Sequence, residues 1–408
     1  MSGHHQPLNR KLITLPTLVL AILSFIALLI LAKRFALGLG SVTNLNDGYP
    51  WGIWVVYDVV VGTGFACGGY ALALVVYIAN KGKYHPLVRP ALLASLFGYT
   101  LGGISAFIDM GRYWNFYNMF LPEQMNLNSV MLEVGLCVTA YCIVLFIEFM
   151  PALLEHYQLE KAKARLDKVL FIIIAIGVLL PTMHQSSLGS LLIAMGFKVD
   201  VLWQSSYLMP LFAILTAMTM GFSIVIFEAS FVTVGLKRDS EAHLLRGLGR
   251  IIQVLLGVVL ILRFGDLLYR GALPAVFNGS FKSFMFLIET ALFVVPLVIL
   301  SSGKHRNRGS MLLIAAVSML FAGALYRFNA FLIGWTPNAG SSYVYFPSAE
   351  ELLVSIGIVA MEILGYLLIV KWLPILPAHA EVKKQTAIKT DPSVNKPPAE
   401  QASVEVGS

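Results

Sequence analysis

The strongest constraint on this chain is the length of its uncharged apolar runs, the first of which extends from Leu12 to Ala32. A run of about 20 such residues crosses the hydrocarbon of a bilayer as a single helix. Composition points the same way: 58% of the residues are hydrophobic and 12% charged, whereas soluble domains carry about a quarter charged residues. An ordinary soluble enzyme is thereby excluded. Runs bounded by charge, Gly or Pro predict spans near 12–37, 51–79, 89–110, 127–150 and 168–196, then near 204–234, 248–270, 282–301, 310–334 and 348–373. The expected fold is an all-α integral membrane protein of about ten transmembrane helices. A helix satisfies its own backbone in lipid, and the turn-punctuated alternation of a membrane β-barrel is missing from the sequence.

Charge sets the expected orientation. With an even number of spans both termini share a side, and on that side fall Lys81, Lys83, Arg89, Lys161, Lys163, Arg165, Lys237, Arg246, Arg250, Lys304, Arg306 and Arg308. The opposite connectors hold only Lys33, Arg34, Arg112, Lys198, Arg270 and Lys282. The positive-inside rule therefore predicts cytoplasmic termini: residues 1–11 as a short N-terminus, a membrane domain over 12–373, and a disordered tail over 374–408. The first run is too long for a signal-peptide core and is expected to remain as a helix. The net charge of +7 reads as topology signal, not as a nucleic-acid surface, because the basic residues lie in short connectors. On the outward side, Tyr113, Trp114, Phe116, Tyr117 and Phe120 crowd one connector. They suit an interfacial aromatic belt or a docking surface for an extracytoplasmic subunit.

Shifting the chain by about 155 residues aligns Ser129, Met131 and Glu133 with Ser283, Met285 and Glu289, and Asp109 with Asp266. This suggests two four-helix units, about 51–196 and 204–334, plus two flanking helices.

An ionisable residue inside a membrane demands a partner or a function. In the later spans Arg263 is expected to pair with Asp266, and Arg327 with Glu289 or Glu362. In spans two to six, by contrast, Asp58, Glu133, Glu148 and Glu228 have no interior cation among them, Asp109 and Arg112 being expected to pair at an edge. Glu133 and Glu148 are fifteen positions apart on one helix, about 22 Å of rise and within roughly 60° of one face, and so mark two ends of a polar track. Glu228 falls near the cytoplasmic end of span six. Span five carries Pro181, Thr182, Met183, His184, Gln185, Ser186 and Ser187. A proline there frees a backbone carbonyl and kinks the helix, and a neutral imidazole can exchange protons with a bound oxygen. Tyr99, midway along span three, can reach the same level. The residues alone leave open a proton-handling redox subunit, a proton-coupled transporter or a passive anchor.

Two other signals carry no chemistry. Gly62, Gly64, Gly68 and Gly69 lie inside a span and read as small-residue packing, not as a dinucleotide fingerprint. Cys67, Cys137 and Cys142 lack paired spacing, and His184 is the one histidine well inside a span. Neither an iron–sulfur cluster nor a bis-histidine haem is expected, and no [NiFe] centre or other metal site.

Five segments carry a resemblance: Pro50-Trp51-Gly52, Gly62 to Gly69, His85 to Pro90, Asp109 to Asn115 and Leu180 to Ser187. Together they resemble the NrfD, or polysulfide-reductase-like, family of membrane subunits, and within it the type that serves a respiratory [NiFe]-hydrogenase of the bacterial inner membrane. The resemblance implies a periplasmic ferredoxin-like iron–sulfur subunit and small and large [NiFe]-hydrogenase subunits as partners, with menaquinone as the bound redox substrate. It places Asp58, Tyr99, Glu133 and His184 at the quinone, Glu133 and His184 as its proton carriers, and Glu148 and Glu228 on a path to the cytoplasm.

Overall fold

The computed structural model describes residues 8, 11–205, 207–235, 242–337 and 344–376. The expectations for residues 1–7 and for the tail from 377 onward lie outside the described residues. Ten helices are long and apolar enough to cross a membrane: α1 Leu15–Leu37, α2 Trp54–Ile78, α3 Gly82–Asp109, α4 Val130–His156, α5 Glu160–Ala194, α6 Met209–Gly235, α7 His243–Tyr269, α8 Phe281–Ser301, α9 Gly309–Ile333 and α10 Ala349–Trp372. The all-α membrane fold expected from the apolar runs is the fold observed. Three boundaries differ from it by more than five residues, the first being α3, which begins at Gly82, seven residues before its apolar run. α4 continues to His156 and α5 begins at Glu160, eight residues before the apolar run, because the Lys, Ala, Arg and Leu of this stretch favour helix whether or not lipid surrounds them.

Local signals fix several ends. Thr14 and Thr17 cap α1 reciprocally, with Pro16 in the first turn. Ser129 accepts from the Leu132 amide to open α4, Ser280 does the same for α8 through Ser283, and Ser348 with Glu351 forms a capping box on α10. Each satisfies amide groups that a helix start leaves without partners.

The helices that meet at the centre do so by close backbone approach. α1 lies along α10, where a Cβ on Gly357 would run into Ala27. α6 presses on α2 at Gly221, whose absent Cβ would stand 2.5 Å from the Cys67 carbonyl oxygen. α2 is not a uniform helix. Trp54–Val61 and Leu74–Ile78 form wide turns with i→i+5 bonding, and the chain breaks regularity at Ala66 and Cys67 between them. Such wide turns re-aim side chains and collect at functional sites. Asp58 sits in the first.

The connector between α5 and α6 interlocks with the one that follows α9. Asp200 N donates to Gly334 O and Thr336 N to Lys198 O, each at 2.8 Å. Near α10, the Tyr345 hydroxyl donates to Glu351 Oε1 at 2.5 Å and accepts from the Ile53 amide at 3.0 Å. Burial, then the Glu351 carboxylate, pushes the Tyr345 phenol above its ordinary pKa.

Candidate functional site

α5 delivers His184 and Gln185 from consecutive positions into the bundle, and both are fully buried. His184 Nδ1 lies 3.5 Å from the Tyr99 hydroxyl of α3, and that hydroxyl lies 3.5 Å from Cys67 Sγ of α2. The Tyr141 ring of α4 meets Tyr99 edge-on with centroids 4.6 Å apart. Gln185 Nε2 donates to Thr63 Oγ1 at 3.3 Å. Three helices therefore share these hydrogen-bonding contacts, and α4 packs an aromatic ring against them. α5 is one continuous helix through Pro181, and Thr182 Oγ1 bonds the Val178 carbonyl and meets the Tyr70 hydroxyl at 2.9 Å.

A cation enters this cluster from the far end of the sequence. Arg327 of α9, 3% exposed, donates to Gln185 Oε1 and to Val60 O, both at 2.8 Å, and more weakly to Ala213 O at 3.4 Å. This corrects the expected pairing of Arg327 with Glu289 or Glu362. Glu289 is engaged elsewhere, accepting from Arg263, from Trp203 Nε1 at 2.8 Å and from Asn329 Nδ2 at 2.6 Å. Arg263 is thus not the partner of Asp266, which pairs with Arg270 at 2.8 Å instead. The edge pair of Asp109 with Arg112 is likewise not formed. Asp109 Oδ1 is buried without a hydrogen-bond partner among the described residues, and the cation in that corner is Arg34, which bonds the Ile108 and Met110 carbonyls.

Of the four residues expected at the quinone, the fold brings two together. Tyr99 and His184 touch. Asp58 lies about one turn further toward the Asp109 end of α3, its backbone against Gly102 and its Oδ2 accepting from Ser355 at 3.1 Å. Glu133 stands apart: it is exposed, in the first turn of α4, eight positions and so about 12 Å of rise from Tyr141. Its neighbour Gly135 is covered by Met119 from the aromatic connector, whose Trp114 is 58% exposed and Phe120 41%. Three buried polar atoms of the region, His184 Nε2, Arg327 Nε and Asp58 Oδ1, have no hydrogen-bond partner among the described residues. The hollow beside Arg327 is only about 10 Å³, room for a water and not for a ring.

Glu148 and Glu228 occupy different walls. Glu148 lies two turns from Tyr141 on the same face of α4 and packs against Gly177 of α5. A further two turns on, Glu155 is held by Arg89 at 2.7 Å and Lys163 at 3.2 Å. Glu228 of α6 accepts from the Tyr366 hydroxyl and shares a cavity of about 170 Å³ with Glu362, between α3, α6 and α10. A Cβ on Gly98, beside Tyr99, would stand 3.2 Å from Glu362. Arg327, Glu362 and Tyr366 were not singled out as site residues by sequence reasoning. For the first two the signal existed, as charges deep in apolar spans, but it was absorbed by the expectation that they pair with each other or with Glu289.

With this geometry in view the relatives become informative. Residues 41–336 match the family described as polysulphide reductase, NrfD. The chain belongs to the NrfD family. It is 51% identical over 379 residues to the probable Ni/Fe-hydrogenase 2 b-type cytochrome subunit of Escherichia coli, across 92% of this chain and 96% of that protein. It is 27% identical over 389 residues to the integral membrane subunit of menaquinone reductase from Nitratidesulfovibrio vulgaris, across 86% and 89% of the two chains. A third relative, the Hdr-like menaquinol oxidoreductase integral membrane subunit of Archaeoglobus fulgidus, is 23% identical over 390 residues, across 87% and 94%.

The first relative's name speaks of a b-type cytochrome, so the fit of a haem to this NrfD-family chain was tested on its own residues. A low-spin b-haem takes two axial ligands from facing helices. Among the described residues His184 is the one buried histidine, its ring packed against Tyr99 at 5.7 Å. No group of three or more His, Cys, Asp or Glu side chains is gathered among the described residues. The residues present do not fit a bis-histidine haem.

Proposed function

We propose that this chain is the quinone-reactive membrane subunit of a respiratory [NiFe]-hydrogenase in a bacterial inner membrane. It would receive electrons from a periplasmic ferredoxin-like iron–sulfur subunit and reduce menaquinone. What the relatives' names say of hydrogenase 2 and of menaquinone supports the reading. The observation that carries it is the Tyr99–His184 pair at the bundle centre, with His184 Nε2 open and the Arg327 cation beside it. A fixed cation in a low-dielectric site favours negative charge developing on a quinone on that side of the bundle, and an imidazole bonded to a phenol can relay a proton toward it.

Each residue then has a role. The exposed aromatic connector between α3 and α4 receives the iron–sulfur subunit. Glu133, exposed beside it, meets a quinone arriving from the lipid, with Asp58, Tyr99 and His184 handling its protons from within. Tyr141, Glu148 and Glu155 continue inward along one face of α4, and Glu228 offers a second inner approach. Reduction of one quinone takes two electrons and two protons. If the protons come from the cytoplasm while hydrogen oxidation releases two outside, turnover moves charge across the membrane, and reversed flow drives hydrogen evolution.

The test is hydrogen-dependent reduction of a water-soluble menaquinone analogue by the purified complex, alongside hydrogen-dependent reduction of an artificial dye. His184→Gln should abolish the first and spare the second. Full quinone reduction in that variant would defeat the assignment. Loss of both activities in His184→Gln, with His184→Asn behaving alike, would show that the residue holds the assembly together and does not serve the substrate.

A further inference from the structure

Five basic side chains, Lys81, Lys83, Arg246, Arg250 and Arg306, line a single pocket of about 790 Å³. They come from three separate places: the turn after α2, the first turns of α7, and the connector between α8 and α9. No carboxylate is among the described lining residues. Arg306 is set in place by its own chain, Nη1 donating to Gln253 Oε1 at 2.6 Å and to Leu300 O at 2.7 Å. Lys83 Nζ rests 4.9 Å over the Tyr84 ring. None of Lys81, Lys83, Arg250 and Arg306 forms an ion pair with another described residue. Cations gathered around one hollow repel each other, and an anion seated among them offsets that cost.

The walls distinguish between anions. Ile251, Val254 and Leu255 continue the pocket below the charges, and Val254 is 60% exposed on the outer surface of α7. It lies four positions, about 6 Å of rise, further into the apolar span than Arg250. A free phosphate would use the cations and leave this apolar wall bare, whereas a phospholipid uses both. We infer that the pocket binds an anionic phospholipid of the two-phosphate, diphosphatidylglycerol class, with its phosphates among Lys81, Arg250 and Arg306 and an acyl chain along Ile251 and Val254. Basic pockets between membrane helices suit such headgroups, and Lys81, Lys83, Arg250 and Arg306 together match two phosphates better than one. The pocket opens at the end of the bundle that carries most of the basic connectors. A lipid there ties the turn after α2 to α7 and to the α8–α9 connector, next to the point where Tyr84 already abuts Gly247.

The experiment uses the full-length chain extracted in mild detergent, delipidated, and returned to nanodiscs of phosphatidylethanolamine with or without diphosphatidylglycerol. Retained lipid is read by native mass spectrometry and stability by thermal unfolding. The anionic lipid should be retained and should raise Tm. The double variant Lys81→Gln with Arg250→Gln should lose the Tm shift and weaken retention roughly thirtyfold, at roughly fivefold per basic residue near a membrane surface. Lys81→Arg with Arg250→Lys, which keeps both charges, should retain it. Equal shifts in purely neutral nanodiscs, a shift reproduced by inorganic phosphate alone, or a Gln double variant that holds lipid like the parent would each overturn the inference.

Discussion

Arg327 on α9 and Gln185 on α5 are joined by a 2.8 Å hydrogen bond across 142 positions of sequence. The bond places a buried guanidinium next to the histidine of α5 and joins the later helices to the earlier ones through the polar cluster. A guanidinium is suited to this because its planar fork can serve the Gln185 amide oxygen and the Val60 carbonyl together, and it stays charged when buried.

Replacing Arg327 by Met keeps the stem and removes every donor, leaving Gln185 Oε1 and Val60 O without their partner. Hydrogen bonds from a charged group contribute about 1.5–3 kcal/mol, so Arg327→Met should lower Tm clearly in detergent. Arg327→Lys, with one compact ammonium, should fall between Met and the parent. A Met variant as stable as the parent would mean that the bonds contribute nothing.

The contact of α6 with α2 depends on a missing side chain. In Gly221→Ala the new methyl meets the Cys67 backbone at 2.5 Å, and backbone cannot rotate away. Overpacking of this kind costs about 1–3 kcal/mol, and the shift should also disturb Cys67 and Tyr99. Gly257→Ala on α7 is the control, since nothing lies within 4 Å of its Cβ. Unfolding temperatures should fall for the first and hold for the second.

The ten spans were legible because lipid makes one demand, a run of apolar residues, that is written locally in the chain. The start of α5 was not, since helix propensity continues past Lys168 after the apolar signal ends. His184 and Tyr99 could be placed at one level from span lengths alone, and the fold puts them in contact. Glu133 shows the limit of that arithmetic: helical periodicity relates its face to that of Glu148, but not to which neighbour covers it, and α5 leaves it exposed. Arg327 was misassigned for a related reason. Charge complementarity favoured an acid, whereas the close approach of α9 to α2 and α5, set by Gly64 and by packing between distant segments, offered an amide and two carbonyls instead.

Tyr345 locks the N-terminal end of α10 to the start of α2. Tyr345→Phe removes the donor to Glu351 and the acceptor for the Ile53 amide, and leaving such buried groups without partners costs about 1–3 kcal/mol. Because burial, and next the Glu351 carboxylate, raise the phenol's pKa, this stabilisation is complete below the unfolded tyrosine value of about 10 and is lost as pH rises through the higher folded value. Melting curves of parent and variant should differ most at neutral pH and converge in strong alkali. A constant gap across that range would assign the effect to packing.

The proposed roles of the two acids of α4 separate by position. Glu133 is exposed in the first turn of α4, and Glu148 lies two turns beyond Tyr141 against Gly177. Glu133→Gln should abolish hydrogen-dependent reduction of a quinone analogue while dye reduction persists, because a carboxamide keeps the shape but cannot carry the proton. Glu148→Gln should leave quinone binding intact and slow turnover, lowering kcat with little change in KM, as expected of a group that supplies protons from a distance. In proteoliposomes the same variant should reduce charge movement per quinone. Glu133→Gln with parental quinone activity would remove that residue from the site, and a Glu148→Gln variant that raises KM alone would place Glu148 at the substrate and not on the route to it.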